Sequence, residues 1–211
     1  MKLVTKTLLL AVMLGGAVNL AQAAGNADAG KTKAAVCGAC HGADGNSMVP
    51  TFPKLAGQNE LYIIKQLHDI KSGARQVLPM AGIVPNLSDQ DIEDLAAYFS
   101  SQKVKIGATD PKLAPLGQKI YRAGVQADGV PACAACHGSN GKGTPGAGFP
   151  ALSGQYATYV AAQLKAFRAA GREDAEGARR TNDPNKMMQV IAARLSDNDI
   201  AALASYVQGL H

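Results

Sequence analysis

This sequence predicts an all-α protein built as two tandem domains from an internal duplication, and three observations carry the prediction. Four sequence blocks recur in the same order in the two halves. Apolar residues fall at helical spacing in several segments. No stretch alternates apolar and polar residues as a half-buried strand does, and no Asn-Gly turn joins two β-branched runs.

The chain has 211 residues, four cysteines, no tryptophan and a formal charge of +5. Met1 to Lys6 hold two lysines, an apolar run follows from Leu8 to Leu20, and Ala21-Gln22-Ala23 closes it. A basic start, an apolar run and an A-x-A ending predict a secretory signal peptide over residues 1–23, cleaved after Ala23. The run is shorter than the roughly 20 residues of a spanning helix, and Gly15, Gly16 and Asn19 weaken it further. Without Lys2 and Lys6 the charge falls to +3, too modest and too evenly spread for nucleic-acid binding. Export also permits disulfides, so the cysteines need their own chemical account.

The duplication is explicit in the residues. Val36-Cys-Gly-Ala-Cys-His-Gly42 returns as Ala132-Cys-Ala-Ala-Cys-His-Gly138. Phe52-Pro-Lys-Leu-Ala-Gly-Gln58 returns as Phe149-Pro-Ala-Leu-Ser-Gly-Gln155, and Gln66-Leu67 as Gln163-Leu164. Leu87-Ser-Asp-Gln-Asp-Ile92 returns as Leu195-Ser-Asp-Asn-Asp-Ile200. Ordered recurrence of this kind marks repeated structural units. The first domain is placed at 24–101 and the second at 113–211, with 102–112 as a Gly-, Pro- and polar-containing linker. The second copy is longer near Gly171 to Lys186, where charge, Gly and Asn predict a surface loop.

The elements follow in order. Asn26 to Cys40 predicts a helix leading into the first cysteine motif. Glu60 to Lys71 sets Leu61, Ile64 and Leu67 at helical spacing, and Tyr156 to Ala170 repeats this more loosely. Ser88 and Ser196 stand before an acidic turn and an apolar-periodic run, as N-caps do. Beyond them Ile92, Leu95, Ala96 and Phe99 form one face, as do Ile200, Leu203, Ala204 and Val207. Domains this small and poor in aromatics bury little core, so a disulfide, metal or cofactor is expected at their centre.

Cys37-Gly-Ala-Cys40-His41 and Cys133-Ala-Ala-Cys136-His137 are both C-x-x-C-H, the pattern of c-type haem attachment. Cysteines three positions apart lie on one face of a helical turn and can form thioethers with two vinyl groups. The adjacent histidine then swings under the ring, where its imidazole suits iron. A thioredoxin-type disulfide requires a βα setting that this chain lacks. A zinc site would have to pool ligands from two self-contained repeats.

Six-coordinate c-type haems often place methionine opposite histidine. Four methionines lie beyond the leader: Met48, Met80, Met187 and Met188. Met80 stands eight positions before Ser88, and Met188 eight before Ser196. That register selects Met80 and Met188 as iron ligands beside His41 and His137. Met187 is one position off, an offset that a loop adjustment could reverse. Met48 has no repeat partner, and neither His68 nor His211 is repeated. Pro53 and Pro150, 12 and 13 positions after their histidines, are placed to accept a bond from the other ring nitrogen. Gln58, Gln155, Arg179 and Arg180 are candidates to meet haem propionates.

The two C-x-x-C-H-G motifs, the two F-P-x-L-x-G-Q blocks, Met80 and Met188, and the two L-S-D-x-D-I helices together resemble the cytochrome c4 family. The resemblance spans essentially all of residues 24–211. It implies two class I cytochrome c-like domains in a pseudo-twofold arrangement, two covalently bound haem c groups, and His/Met ligation at both irons. It implies a periplasmic monomer, loosely associated with the membrane, that takes electrons from an upstream respiratory donor and passes them to a terminal oxidase.

The nearest rival function is a dihaem peroxidase, which needs an open iron position and is disfavoured by a methionine in each half. A haem sensor would need an output domain, and none is visible, while a permanent subunit role stays open. Residues 24–107 are neutral overall and 108–211 carry +3. With two propionates on each haem these become −2 and +1, a dipole expected to steer different partners to the two ends.

Overall fold

The computed structural model describes residues 24–174 and 177–211, so the expected leader at 1–23 lies outside the described residues. The described part is helical, and its backbone pairings outside helices are two isolated bridges, Val125 with Val130 and Thr144 with Phe149. The first domain contains α1 (Ala27–Lys33), α2 (Gly38–His41), α3 (Glu60–Lys71) and α4 (Asp89–Ser101). The second contains α5 (Ala114–Ala123), α6 (Ala134–His137), α7 (Ala157–Gly171), α8 (Met187–Ala192) and α9 (Asp197–Gly209). Among the described residues no helix is long and apolar enough to cross a membrane.

The C-terminal helix of each domain begins with a reciprocal capping box. The Asp91 N–H donates to Ser88 Oγ (3.1 Å) while the Ser88 N–H donates to Asp91 Oδ2 (2.8 Å). Asp199 and Ser196 repeat the exchange at 3.1 and 2.9 Å. Two otherwise orphan backbone donors are satisfied at each start. The apolar faces expected on these helices are buried, with Ile92, Leu95, Ala96 and Phe99 all at 2 % exposure or less. Ile200, Leu203, Ala204 and Val207 are buried in the same way. Leu95, Phe99, Leu203 and Val207 also form part of a cavity wall.

The first helix of each domain crosses the last at a glycine. A Cβ on Gly30 would stand 2.0 Å from the Asp94 carbonyl oxygen, and one on Gly117 would stand 2.3 Å from that of Ala202. Only hydrogen fits there, so the backbones of α1 and α4, and of α5 and α9, touch. The repeat thus extends to the helix crossings.

Two expectations are revised. The segment 26–40 is not one helix: α1 ends at Lys33, and the ladder tightens where Ala35 N–H donates to Thr32 O and Cys37 N–H to Ala34 O. The chain turns there and α2 starts as a separate single turn. Residues between the two domains are hydrogen-bonded to both of them. The Lys105 N–H donates to Asn46 Oδ1 (2.8 Å), Gly107 N–H to Gln208 O (3.0 Å) and Asp110 N–H to Ser205 Oγ (2.9 Å). The long segment after α7 is not purely a surface loop, because Arg180 is buried and Asn182 donates to Asp69 of the first domain.

Candidate functional site

Each C-x-x-C-H motif is carried by a one-turn helix, α2 or α6, that ends on its histidine. His41 and His137 are 7 and 8 % exposed. His41 Nδ1 lies 2.8 Å from the Pro53 carbonyl oxygen, and His137 Nδ1 lies 2.9 Å from that of Pro150. A carbonyl only accepts, so the proton sits on Nδ1 and the Nε2 lone pair is left for a metal. Phe52 and Phe149 present a ring edge to these imidazoles at 6.3 Å between centroids. Burial pushes both imidazoles below their ordinary pKa, against an opposing pull from the proline carbonyls. Neutral imidazole, the ligating form, is favoured.

The four cysteines are half-buried and free of disulfides. Burial pushes the Cys37 thiol up, and the Cys133 thiol up to about 11. Among the described residues no three His, Cys, Asp or Glu side chains converge, as a zinc site drawn from both motifs would require.

Both motifs open into one continuous cavity of about 1850 Å³. Cys37, Cys40 and His41 line one part of it, and Cys133, Cys136 and His137 another. Ligand pockets usually measure about 300–1,000 Å³, so this one suits two large planar groups rather than one small substrate. Met80 reaches the cavity from a 3-10 turn, Leu78–Met80, with Pro79 within that turn. Met188 reaches it from the first turn of α8, with its N–H donated to Asp183 Oδ2 (2.7 Å). Met187 also lines the cavity but is 37 % exposed, whereas Met188 is half-buried. Met48 is 92 % exposed and His68 is also exposed. The residues present therefore fit haem: paired thiols, an imidazole aimed by its proline, a thioether, and a large cavity with mostly apolar walls.

Gln58 and Gln155 do other work than the propionate contact suggested for them. Gln58 Nε2 donates to Ala151 O (2.9 Å) and its Oε1 accepts from Ala151 N–H (2.7 Å). Gln155 returns the same pair of bonds to Lys54, both at 2.9 Å. Each F-P-x-L-x-G-Q block thus grips the x position of the other, which relates the domains by an approximate twofold. Arg180 is in the cavity wall and buried; Arg179 is also in the wall but exposed. Arg75, Tyr62 and Tyr159 join Arg180 at the domain boundary and were missed. The tyrosines carried a signal: Tyr62 precedes Gln66, and Tyr159 precedes Gln163, by the same four positions.

Comparison with known proteins agrees with this geometry. A cytochrome c family model matches residues 27–103 and 114–211. The chain is 56 % identical over 206 residues to cytochrome c4 of Pseudomonas aeruginosa, covering 98 % of this chain and 99 % of that protein. A solved structure, reduced recombinant cytochrome c4 from Pseudomonas stutzeri, superposes with a TM-score of 0.83 at 52 % identity, covering 89 % of this chain and all of that one. A more distant relative, a thiosulfate dehydrogenase electron acceptor of Stutzerimonas stutzeri, is 39 % identical over 82 % of this chain and 78 % of that protein. With two cytochrome c domains, paired thiols at each site and near full-length likeness, the chain belongs to the cytochrome c4 family, electron-transfer proteins with two covalently bound haem c groups.

Proposed function

We propose that the protein is a periplasmic electron carrier of a bacterial respiratory chain, with a closed His/Met haem in each half. The two domains are taken as 24–101 and 113–211, joined by 102–112, with residues 1–23 as the export signal. Cys37 and Cys40 hold one haem and Cys133 and Cys136 the other. His41 and Met80 would hold the iron of the first site, and His137 and Met188 that of the second. Bound haem supplies one-electron Fe(III)/Fe(II) exchange. The protein's own residues fix the imidazoles through Pro53 and Pro150, exclude water with apolar walls, and offer a thioether to close the site. Thioether ligation raises the reduction potential, which suits delivery to an oxidase.

The observation that carries this proposal is the shared cavity, into which both buried, carbonyl-oriented histidines and both register-matched methionines project. An upstream respiratory donor and a terminal oxidase are the proposed partners of a monomer that meets the membrane only loosely. The charge asymmetry between the halves supports separate docking ends for them. The likeness to a thiosulfate dehydrogenase electron acceptor supports a dehydrogenase as a second class of donor.

Mass measurement of the exported protein tests the attachment, and a reduced-minus-oxidised spectrum with redox titration tests the centres. Two porphyrins, low-spin c-type bands and negligible peroxidase turnover are expected. One porphyrin, or a high-spin centre that turns over peroxide, overturns the assignment. Faster oxidation of the reduced protein by oxidase-containing membranes than by membranes lacking the oxidase tests the acceptor.

A further inference from the structure

The two methionines offered to the irons are held by different means. Met80 ends a 3-10 turn of uncharged residues, where its N–H donates to the Val77 carbonyl oxygen (2.9 Å). Met188 lies in the first turn of α8, and a carboxylate five positions upstream holds that turn. Asp183 Oδ2 accepts from the Met188 N–H (2.7 Å) and the Gln189 N–H (3.2 Å), while Asp183 Oδ1 accepts from Gln189 Nε2 (2.5 Å). The repeat supplies no copy of this arrangement, because the residue five positions before Met80 is Arg75.

The backbone between Asp183 and Met188 is strained. Asn185 and Lys186 are successive non-glycine residues in the left-handed region, with φ of 54° and 56°. A Cβ makes that conformation unfavourable, and it persists only where the surroundings impose it. Asp183 imposes it by tying itself to residues 188 and 189 across the strained pair. Gln189 is the second fixed point. It is 5 % exposed, and a Cβ on Gly171 would stand 2.2 Å from its carbonyl oxygen, so the end of α7 touches α8 there. Met188 is thereby fastened through its own N–H to Asp183 and through its neighbour to α7. The N–H groups of a helix's first turn have no partner within the helix, and bonds to an ionised carboxylate are about twice as strong as neutral ones. Among the described residues Asp183 forms no salt bridge, so its oxygens serve this turn.

We infer that Asp183 is a positioning residue of the second site: its carboxylate holds the first turn of α8 so that the Met188 thioether keeps its place against competing ligands. The inference rests on the His/Met assignment proposed above. Asp183 acts through Met188. Without the carboxylate the left-handed pair relaxes, and Met188 moves with it. The first site, whose methionine turn carries no carboxylate, is unaffected.

Added imidazole tests this on oxidised holoprotein. Its ring nitrogen bonds to Fe(III) as the thioether sulfur leaves, no electron is transferred, and the methionine charge-transfer band disappears. In Asp183→Ala, half of that band should be lost at about tenfold lower imidazole than in the unaltered protein, the low end of what removing the outer partner of a metal ligand costs. The other half should be lost at its original concentration. Asp183→Asn keeps an uncharged oxygen in place and should shift the same half by about threefold. Met188→Ala leaves only the first-site band, and adding Asp183→Ala to it should not move the remaining midpoint. Unchanged midpoints in Asp183→Ala, even with lowered thermal stability, would make Asp183 a helix cap only and overturn the inference. An equal shift in both halves would show general loosening and overturn it too. If Asp183→Ala loads fewer than two haems, Asp183→Asn decides: a shift confined to one half upholds the inference, and no shift overturns it. A full charge-transfer band in Met188→Ala defeats the ligand assignment itself, a result obtained with Asp183 intact and so separable from the others.

Discussion

Single side chains decide what each site does to its iron. Pro53 and Pro150 sit where spacing from the histidines placed them, and their carbonyls are 2.8 and 2.9 Å from Nδ1. The choice between Met187 and Met188 rests on register, on the lower exposure of Met188, and on its N–H anchor to Asp183. Met188→Ala should therefore remove the charge-transfer band of one domain, and Met187→Ala should leave both bands in place. Near-infrared absorbance of the oxidised protein checks this, and the reverse pattern would reject the register. Arg75 was not legible in the sequence because it has no aligned twin: it follows Gln66 by nine positions, whereas Arg180 follows Gln163 by 17. Only folding of the longer second loop brings the two together.

At the scale of elements, helix ends and crossings carry much of the specification. Ser88→Ala and Ser196→Ala should each cost about 1 kcal/mol, the usual worth of an N-cap. Denaturant unfolding of each variant measures it. α1 is also tied to α4 by Asp94, whose carboxylate accepts from Asn26 N–H (2.8 Å), Lys33 Nζ (2.6 Å) and Gln90 Nε2 (2.9 Å). Those bonds, the Asn26 N–H foremost, pull its pKa down to about 2. A depressed folded pKa means stability that is present above about pH 4, the unfolded value, and lost as pH falls toward 2. Asp94→Asn should remove about 2 kcal/mol at pH 7 and flatten the acid dependence over that window, as read by unfolding at several pH values. The matching position in the second domain is Ala202, so α5 and α9 lack this acid-sensitive tie. Helix existence and caps were legible because they depend on local spacing. The break after Lys33 was not, since nothing in the apolar pattern marks where the ladder tightens.

The whole molecule is two similar halves locked by exchanged bonds. Gln58 and Gln155 each satisfy a backbone N–H and C=O of the opposite domain. Removing both amides leaves buried backbone groups without partners, a cost of about 1–3 kcal/mol each. The double variant Gln58→Ala/Gln155→Ala should keep both haems yet loosen the boundary, separating one thermal transition into two. Calorimetry checks this, and a single unshifted transition would show that other contacts hold the halves. Lys54 adds to the lock, donating to Gly154 O (2.9 Å) and lying 4.5 Å from the Tyr156 ring centroid.

The sequence by itself determined the all-α class, the duplication, the cysteine and histidine pairs, the proline carbonyls and the capped C-terminal helices. Each depends on residues close in the chain or on comparison of one half with the other. The tertiary structure alone decided that both motifs share one cavity, that Gln58 and Gln155 serve the boundary, and that Arg75 meets Arg180. Those features join residues about 90 to 105 positions apart through helix packing, and no local periodicity encodes which surfaces of two similar domains will meet.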